Sequence, residues 1–456
     1  MTPHPLRWRI LGFLGIAQLM LILDVTVVAI ALPSLGSDLG LSRTALTWTV
    51  SAYTLTFGGL MLLGGRIADL IGAKRVLLAG LLIFTGASLV AGLAGSAEVL
   101  LGGRIAQGVG AALLSPAALS LVIGLFDGDE RNRALGVWSA LGGGGAALGV
   151  LLGGLITAGP GWPWVFFVNV PVGLIITAAL TRMLPTIKPN AHGRVDVLGA
   201  ALVTASTAAV IFALIGAGDR GWLTATTGLL LLAGAIGYLL FVWWQKRTEA
   251  PLMDVRMLAR RPVATGTFLI LLATALMVAV FFLGTFYFQG ARGFGALTTG
   301  LLFLPVAVAT MLSAQLTGRL IGRLGARPLA IAGTAIAAVG MGIPAVKLET
   351  AAVLAGVVIA AAGTGVLFVV ASATALGQVA PHEAGIASGI VSTFHEFGAS
   401  LGAAVVSSVA AAGIAGSTLA GFENGFRTVA VIAAVGVVVA AALTPTGPRE
   451  GAKVSA

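Results

Sequence analysis

Long apolar runs separated by short polar loops limit what this chain can fold into more than any other feature. A helix that spans a membrane needs about 20 consecutive apolar residues. Hydrophobic residues make up 58% of the sequence and charged residues only 9%, whereas about a quarter of a soluble protein is charged. The pattern predicts an all-α integral membrane protein with fourteen spans, at 10–33, 46–65, 75–95, 99–125, 133–158, 164–184, 195–217, 222–244, 262–288, 298–321, 326–346, 350–376, 384–410 and 424–443.

The basic residues of the loops predict how these spans are oriented. Cytoplasmic loops of membrane proteins are enriched in Lys and Arg, and with the N-terminus inside, about twenty basic residues fall on the inner side and about five on the outer side. The first run follows Arg7 and Arg9, but it is too long for a signal peptide and contains Asp24, so we expect a retained span. Both termini are therefore predicted to be cytoplasmic.

The composition excludes several classes of protein. The net charge of +10 does not indicate nucleic-acid binding, because the basic residues lie in short loops between apolar runs. The chain has no cysteine, and its four histidines lack metal-ligand spacing. No phosphate-binding loop and no nucleophile–base constellation is present, so neither ATP-driven transport nor an enzyme is predicted. We expect no cofactor, and the high Ala and Gly content favours a bacterial inner membrane.

A short charged segment at 64–75 occurs twice in the sequence. It is predicted to be a loop between spans 2 and 3, in which Gly65 and Gly72 allow two helix ends to approach. The second copy, at 318–327, lies between spans 10 and 11, which indicates an internal duplication. In the alignment, Gly65, Arg66, Gly72, Ala73 and Lys74 correspond to Gly318, Arg319, Gly325, Ala326 and Arg327.

The first copy resembles the loop 2–3 signature of the major facilitator superfamily. In that family the acidic and basic residues of the signature are believed to latch the two helix bundles together on the cytoplasmic side. The second copy departs from the signature, because Gly322 stands where Asp69 stands. The resemblance implies a conformational latch formed by Gly65, Arg66, Asp69, Gly72, Lys74 and Arg75.

Further segments resemble the fourteen-span drug:proton antiporter branch of this superfamily. They are residues 23–28 and 31–33 in span 1, Trp48 with Tyr53 in span 2, 104–108 in span 4 and 164–173 in span 6. The resemblance implies the major facilitator fold, with two six-helix bundles and two extra helices. The implied domains are a first bundle at 1–190, a linker pair at 191–261, a second bundle at 262–445 and a cytoplasmic tail at 446–456.

Span 5 departs from this branch at one position. Antiporters of the branch carry Gly-Pro shortly before a Gly-Gly pair, and here Val150 replaces the proline. The family attributes a bend to that region, so the departure weakens the inference of antiport. Gly145, Gly149 and Gly153 recur every fourth residue in the same span, which predicts a face for close helix packing.

Four ionisable side chains within the predicted spans are candidate functional groups, because burying a charge in a bilayer is costly unless it is paired or hydrated. They are Asp24 in span 1, Arg104 in span 4, and His395 and Glu396 in span 13. Counted along the helices, Asp24 lies about nine residues and Arg104 about five residues from the outer ends, so the two can pair, and Glu396 lies near the midplane. We predict that Asp24 carries the proton, that Arg104 modulates it, and that Glu396 is a second carrier or cation site.

A central cavity between the bundles is expected to bind the substrate. Structural roles remain as alternatives for the same residues: Asp24 holding spans 1 and 4 together, Arg104 bonding backbone carbonyls, and Glu396 capping His395 or a neighbouring hydroxyl. The aromatic residues have the alternative of facing lipid or core. The predicted lining consists of Asp24, Tyr53, Gln107, Phe281, Phe368, His395 and Glu396.

These features together predict a proton-coupled exporter of lipophilic or cationic small molecules, such as antibiotics or dyes. It is expected to work by alternating access, as a monomer in the lipid membrane, with small-molecule substrates and protons as its partners. A dedicated exporter of one endogenous metabolite is the first alternative. A proton symporter, which Val150 leaves open, and a nontransporting sensor are further alternatives. The ionisable residues within the spans argue against the sensor, which gains nothing from burying them.

Overall fold

Helices make up nearly all of the chain that the structure, a computed structural model, describes. The described residues are 5–185, 194–377, 379, 383–414 and 418–444. The long helices within them are α1 (Arg7–Leu39), α2 (Arg43–Ile71), α3 (Ala73–Gly92), α4 (Ala97–Leu125), α5 (Gly128–Ala158), α6 (Pro163–Met183), α7 (Val197–Arg220), α8 (Ala225–Gln245), α9 (Arg261–Ala291), α10 (Ala296–Leu324), α11 (Ala326–Val346), α12 (Thr350–Leu376), α13 (Ala384–Val409) and α14 (Ala420–Leu443).

The predicted helical membrane fold is confirmed. Thirteen of these helices in the described chain are long and apolar enough to cross a membrane. The remaining one, α5, has 31 residues and an apolar stretch at Leu148–Ala158. It occupies the place of the predicted fifth span, and α5 is one uninterrupted helix through Val150.

Two groups of helices form around separate packing centres. In the first group α4 packs against α2 and α3, and α1 packs against α5. In the second group α12 packs against α9, α10 and α11, and α11 packs against α14. The predicted domain boundary near 190 and the predicted tail at 446–456 lie outside the described residues, so the proposed division into domains stays a prediction.

The predicted close-packing face of α5 is confirmed by its contacts with α1. A Cβ added at Gly149 would lie 1.8 Å from the Thr26 hydroxyl oxygen, and one added at Gly153 would lie 3.0 Å from the Cα of Val27. A Cβ at Gly145 would likewise meet the side chains of Leu19 and Ile22. Small residues at this spacing let the two backbones approach closely.

The two groups of helices meet along α2–α13 and along α5–α10. At the first contact, a Cβ added at Gly58 would lie 2.7 Å from the Cβ of Glu396. At the second, a Cβ added at Gly300 would lie 2.5 Å from the carbonyl oxygen of Val150. The position where the sequence departs from the antiporter signature therefore lies at the junction of the two groups.

The linker pair contacts both groups of helices on one side of the molecule. Helix α7 packs against α8 and also against α2 and α13. Helix α8 leaves most of its apolar side chains exposed, including Leu229, Leu239 and Trp243. This exposure is what a helix facing lipid requires, because hydrocarbon solvates apolar side chains.

The predicted loop at 64–75 is almost entirely helical, which corrects the sequence-based expectation. Helix α2 continues to Ile71 and α3 begins at Ala73, so that Gly72 alone joins them, with φ at 98°. The second copy is built in the same way, with Gly325 at φ 81° between α10 and α11. A positive φ of this kind is accessible to glycine at little cost, which explains the glycine in both copies.

Helix α1 is longer than the predicted first span at 10–33. Helix α1 does not end near Pro33 but continues to Leu39. Asp24 therefore lies close to the middle of a helix of 33 residues, farther from the outer end than counting along the apolar run suggested. Pro33 lies inside α1 without ending it, whereas an interior proline often ends a helix in a soluble protein.

Candidate functional site

A buried ion pair joins α1 to α4 in the centre of the first group of helices. The Arg104 guanidinium donates to the Asp24 carboxylate, and their side chains are 1% and 0% exposed. The two residues are 80 positions apart in the sequence. A buried pair is strongly destabilised when one partner is removed, because the other charge is then left uncompensated. The pairing that the sequence allowed is therefore present.

Gln107 completes the coordination of the Asp24 carboxylate. Its amide nitrogen donates to Asp24 Oδ1 at 2.9 Å and to the Ser88 hydroxyl at 2.9 Å, while its amide oxygen accepts from Arg104 at 2.9 Å. Ser88 in turn donates to the carbonyl of Phe84 on α3. Gln107 thus acts inside the network with Asp24 and is itself fully buried.

The remaining faces of the Arg104 side chain are also occupied. Its Nε donates to the carbonyl oxygen of Thr49 on α2 at 2.8 Å. The guanidinium carbon lies 4.4 Å from the centre of the Tyr53 ring and 5.8 Å from that of Phe166. Arg104 therefore makes both the ion pair and the backbone contact that were proposed as alternatives.

Glu396 lies across the α2–α13 contact, opposite Gly58. Its side chain is buried, and among the described residues no hydrogen bond is formed by its carboxyl group. The proposed cap on His395 does not form, because His395 Nδ1 bonds the Thr274 hydroxyl at 2.9 Å and its ring packs against Phe368. Glu396 therefore places an acidic side chain at the buried junction of the two groups of helices.

The seven residues of the predicted lining do not lie together around one cavity in the described structure. Asp24, Tyr53 and Gln107 are buried around Arg104, while His395 and Phe368 contact each other in the second group of helices. Phe281 faces a small apolar cavity of about 30 Å³ between α1, α2 and α9. Its other lining residues are Val25, Thr26, Ala29, Val50, Val278 and Phe282.

The predicted latch residues lie where α2 ends and α3 begins. Asp69 and Arg75 are exposed, and Gly72 is buried at the junction of the two helices. Lys74 donates to the carbonyl oxygen of Leu184 at the end of α6, within the first group of helices. The latch role itself stays a prediction.

A contact that sequence analysis missed joins three helices at the end of α2 that is predicted to lie outside, and it is called the outer contact below. Arg43, counted there only as an outer basic residue, donates to the carbonyl and hydroxyl oxygens of Ser407 on α13 at 3.0 and 2.7 Å. It also donates to the carbonyl oxygen of Ile215 and forms an ion pair with Asp219, both on α7. No motif marks Arg43, and only the packing of α2, α7 and α13 brings these partners together.

A buried ionic network inside a helical membrane fold of two joined groups defines a membrane transporter. The comparisons then identify its family: the model for the Major Facilitator Superfamily matches residues 14–403. This chain belongs to that superfamily, as the loop signature and the span motifs predicted, and is a transporter rather than an enzyme.

Three relatives over most of the chain have names that describe drug resistance or antibiotic export. The puromycin resistance protein pur8 of Streptomyces alboniger is 36% identical over 97% of this chain and 91% of its own length. The cephamycin export protein CmcT of Amycolatopsis lactamdurans is 36% identical over 95% and 90%. The multidrug resistance protein Stp of Mycobacterium tuberculosis (strain H37Rv) is 33% identical over 87% and 75%.

Solved structures with low sequence identity share the fold. A bacterial homologue of the human lysosomal transporter Spinster, in an inward-facing and occupied conformation, superposes with a TM-score of 0.68 at 16% identity, covering 96% of each chain. The transporter PepTSo superposes with a TM-score of 0.67 at 14% identity, covering 95% of this chain and 97% of its own.

Proposed function

We propose that this protein exports lipophilic or cationic small molecules, antibiotics among them, in exchange for protons that enter from outside. The names of its relatives support export of this kind, since they describe resistance to puromycin, export of cephamycin and multidrug resistance. The bias of basic residues supports an orientation with both termini in the cytoplasm. A monomer suffices, because each element of the proposed site comes from one chain.

The observation that carries proton coupling is the buried Asp24–Arg104–Gln107 network. An acid in this position has two states of different charge, and in the structure the Asp24 carboxylate accepts hydrogen bonds from Arg104 and Gln107. Protonation removes the negative charge and weakens the tie between α1 and α4. Because these helices belong to one group, a change in their packing alters how that group meets the other.

The exchange cycle follows from these two states. A proton from outside neutralises Asp24, the outer contacts re-form, and the proton leaves to the cytoplasm when the inner side opens. Substrate then enters the inward-open cavity and is carried outward as the inner side closes. Glu396, buried on α13 at the junction with α2, is proposed as the second carrier or as the site for a cationic substrate.

The available energy is sufficient for export. One proton that crosses 100 mV releases about 2.3 kcal/mol, and a gradient of one pH unit adds about 1.4 kcal/mol. Together they sustain a gradient of several hundredfold for a neutral substrate exchanged with one proton.

Dye uptake into inverted vesicles tests this proposal. The interior of the vesicle is acidified, and uptake of ethidium and of Hoechst 33342 is measured for the wild type and for Asp24→Asn. We expect gradient-driven uptake by the wild type and its loss in Asp24→Asn, with dye binding retained. Asp38→Asn is the matched control, because Asp38 lies on the same helix but is exposed and bonds Trp162 instead of the network.

Three other outcomes would contradict the proposal. Full gradient-driven uptake by Asp24→Asn would remove Asp24 from the proton path. Wild-type vesicles that take up neither dye would favour the narrower alternative, export of one endogenous metabolite, which the relative named for cephamycin export supports. Movement of dye out of the acidified vesicles together with protons would instead identify a symporter.

A further inference from the structure

Arg104 loses its negatively charged partner when Asp24 is protonated. When Asp24 takes up a proton, it becomes neutral, but Arg104 keeps its charge because a guanidinium does not deprotonate in proteins. Arg104 is 1% exposed, so water does not replace the lost partner. A buried cation without compensation is strongly unfavourable, so the loaded state needs other groups that stabilise this charge.

The contacts around Arg104 identify those groups. The carbonyl oxygen of Thr49 and the amide oxygen of Gln107 accept hydrogen bonds from Arg104, and neither acceptor changes its charge when Asp24 is protonated. The Tyr53 ring presents its face to the guanidinium at 4.4 Å, well within the range of a cation–π interaction. Phe166 lies farther away, at 5.8 Å.

Tyr53 contacts its surroundings through its aromatic ring and not through its hydroxyl group. It is fully buried and its ring also contacts Phe57 and Phe84. Its hydroxyl oxygen is buried without a hydrogen-bond partner among the described residues. A residue selected for its hydroxyl would pair that group, because an unpaired buried hydroxyl is unfavourable.

We propose that Tyr53 is a positioning residue of the proton site, whose ring face stabilises the Arg104 charge while Asp24 is protonated. The inference rests on the proposed proton coupling and changes the role predicted for Tyr53, from lining the substrate cavity to acting through Arg104. Among the described residues, Asp24, Glu396 and Arg104 are the charged groups close enough to act on the Tyr53 side chain. Glu396 approaches from α13, and the other two belong to the network itself.

The sign of the effect follows from the net charge that the ring faces. With Asp24 ionised, the pair is neutral overall and the ring interacts with it weakly. With Asp24 protonated, the net charge is +1 and the negative face of the ring attracts it. A less negative ring face at position 53 therefore disfavours the loaded state, and protonation of Asp24 then requires a lower pH. A buried cation–π interaction is strong enough for a shift of about one pH unit, a tenfold change in proton affinity.

An infrared titration tests this without knowledge of the natural substrate. The carboxylic C=O stretch of Asp24 is identified in purified, reconstituted protein as the band that Asp24→Asn removes, and its intensity is followed against pH. Position 53 is then occupied by phenylalanine and by phenylalanines that carry one, two or three fluorines, which weaken the ring face with little change in shape. Tyr53→Leu removes the face altogether, and Tyr238→Leu on α8 controls for the loss of a tyrosine.

The expected result is graded. Tyr53→Phe and Tyr238→Leu keep the wild-type midpoint, each fluorine lowers it further, and Tyr53→Leu lowers it by about one pH unit. A midpoint independent of fluorination overturns the inference, and so does a shift in Tyr53→Phe, which would assign the role to the hydroxyl. If Asp24→Asn removes no band, Asp24 does not titrate and the inference also fails. Absence of proton-driven dye uptake by the wild type would count against the proposed function instead.

Discussion

Two neighbouring glycines of α2 give a direct test of how closely this helix packs against α4. A Cβ added at Gly64 would lie 2.1 Å from the carbonyl oxygen of Ala112 and 3.2 Å from the Cα of Leu113. A Cβ added at Gly65 would have Pro116 Cβ as its nearest neighbour, at 3.6 Å, an ordinary contact. We predict that Gly64→Ala destabilises the protein and that Gly65→Ala does not, although Gly65 is the glycine of the family signature.

The expected difference can be worked out from this geometry. Both substitutions replace glycine by alanine inside α2 and gain a similar helix-propensity term of about 1 kcal/mol, which cancels in the comparison. The contact at Gly64 is with backbone, which cannot rotate away, so α2 and α4 have to separate. Overpacking of this kind costs about 1–3 kcal/mol, and the two variants should differ in free energy of unfolding by that amount.

The assay is reversible unfolding in mixed micelles, with SDS as the denaturant and helix content as the signal. Both variants are compared with the wild type in the same detergent, and transport is measured beside stability. If Gly64→Ala is as stable as Gly65→Ala, the spacing of α2 and α4 is not set by this backbone contact, and the argument is refuted.

Two further predictions concern the outer contact and the junction of α2 with α3. Arg43→Gln removes the cation that joins three helices, so we expect more of the outward-open state, and Asp219→Asn should have a smaller effect because it removes only one partner. Pulsed EPR distances between spin labels at the outer ends of α2 and α13 measure this opening, and the labels can be attached to introduced cysteines because the chain has none of its own. Unchanged distances in Arg43→Gln would contradict the prediction. Gly72→Ala places a side chain at φ 98°, so we expect it to destabilise the protein by about 1–2 kcal/mol. Gly86→Ala in α3 is the control, because a Cβ added there meets nothing within 4 Å. Equal midpoints of SDS unfolding for the two variants would count against backbone strain at Gly72.

The sequence predicted the elements of the fold well because a bilayer imposes a simple rule. Each span needs a fixed length of apolar residues, and the thirteen helices that meet this criterion, with α5 as the remaining long helix, follow the predicted order. The helix ends were less predictable, since helices continue beyond the hydrocarbon into polar sequence. Helix α2 therefore runs through Arg66 and Asp69 to Ile71, where a loop was expected.

The candidate site was predictable in part for the same reason. Asp24, Arg104 and Glu396 stand out in apolar sequence because an ionisable group there is costly unless it has a function or a partner. Their depths in the membrane stay predictions, because α1 continues to Leu39, beyond the predicted end of the apolar run. The partners had no comparable signal: Ser88 and Thr49 are ordinary residues of apolar helices.

The sequence by itself determined that this chain is a helical membrane protein, that its two halves share one loop pattern, and which few charges lie inside it. These properties depend only on the order of apolar, charged and glycine residues along the chain. Only the tertiary structure decided that Gln107 and Tyr53 surround Arg104, that Gly64 rather than Gly65 meets the backbone of α4, and that Arg43 joins α2 to α7 and α13. These contacts depend on how each helix is rotated about its axis and on which helix lies beside it, which side-chain packing across the whole molecule sets.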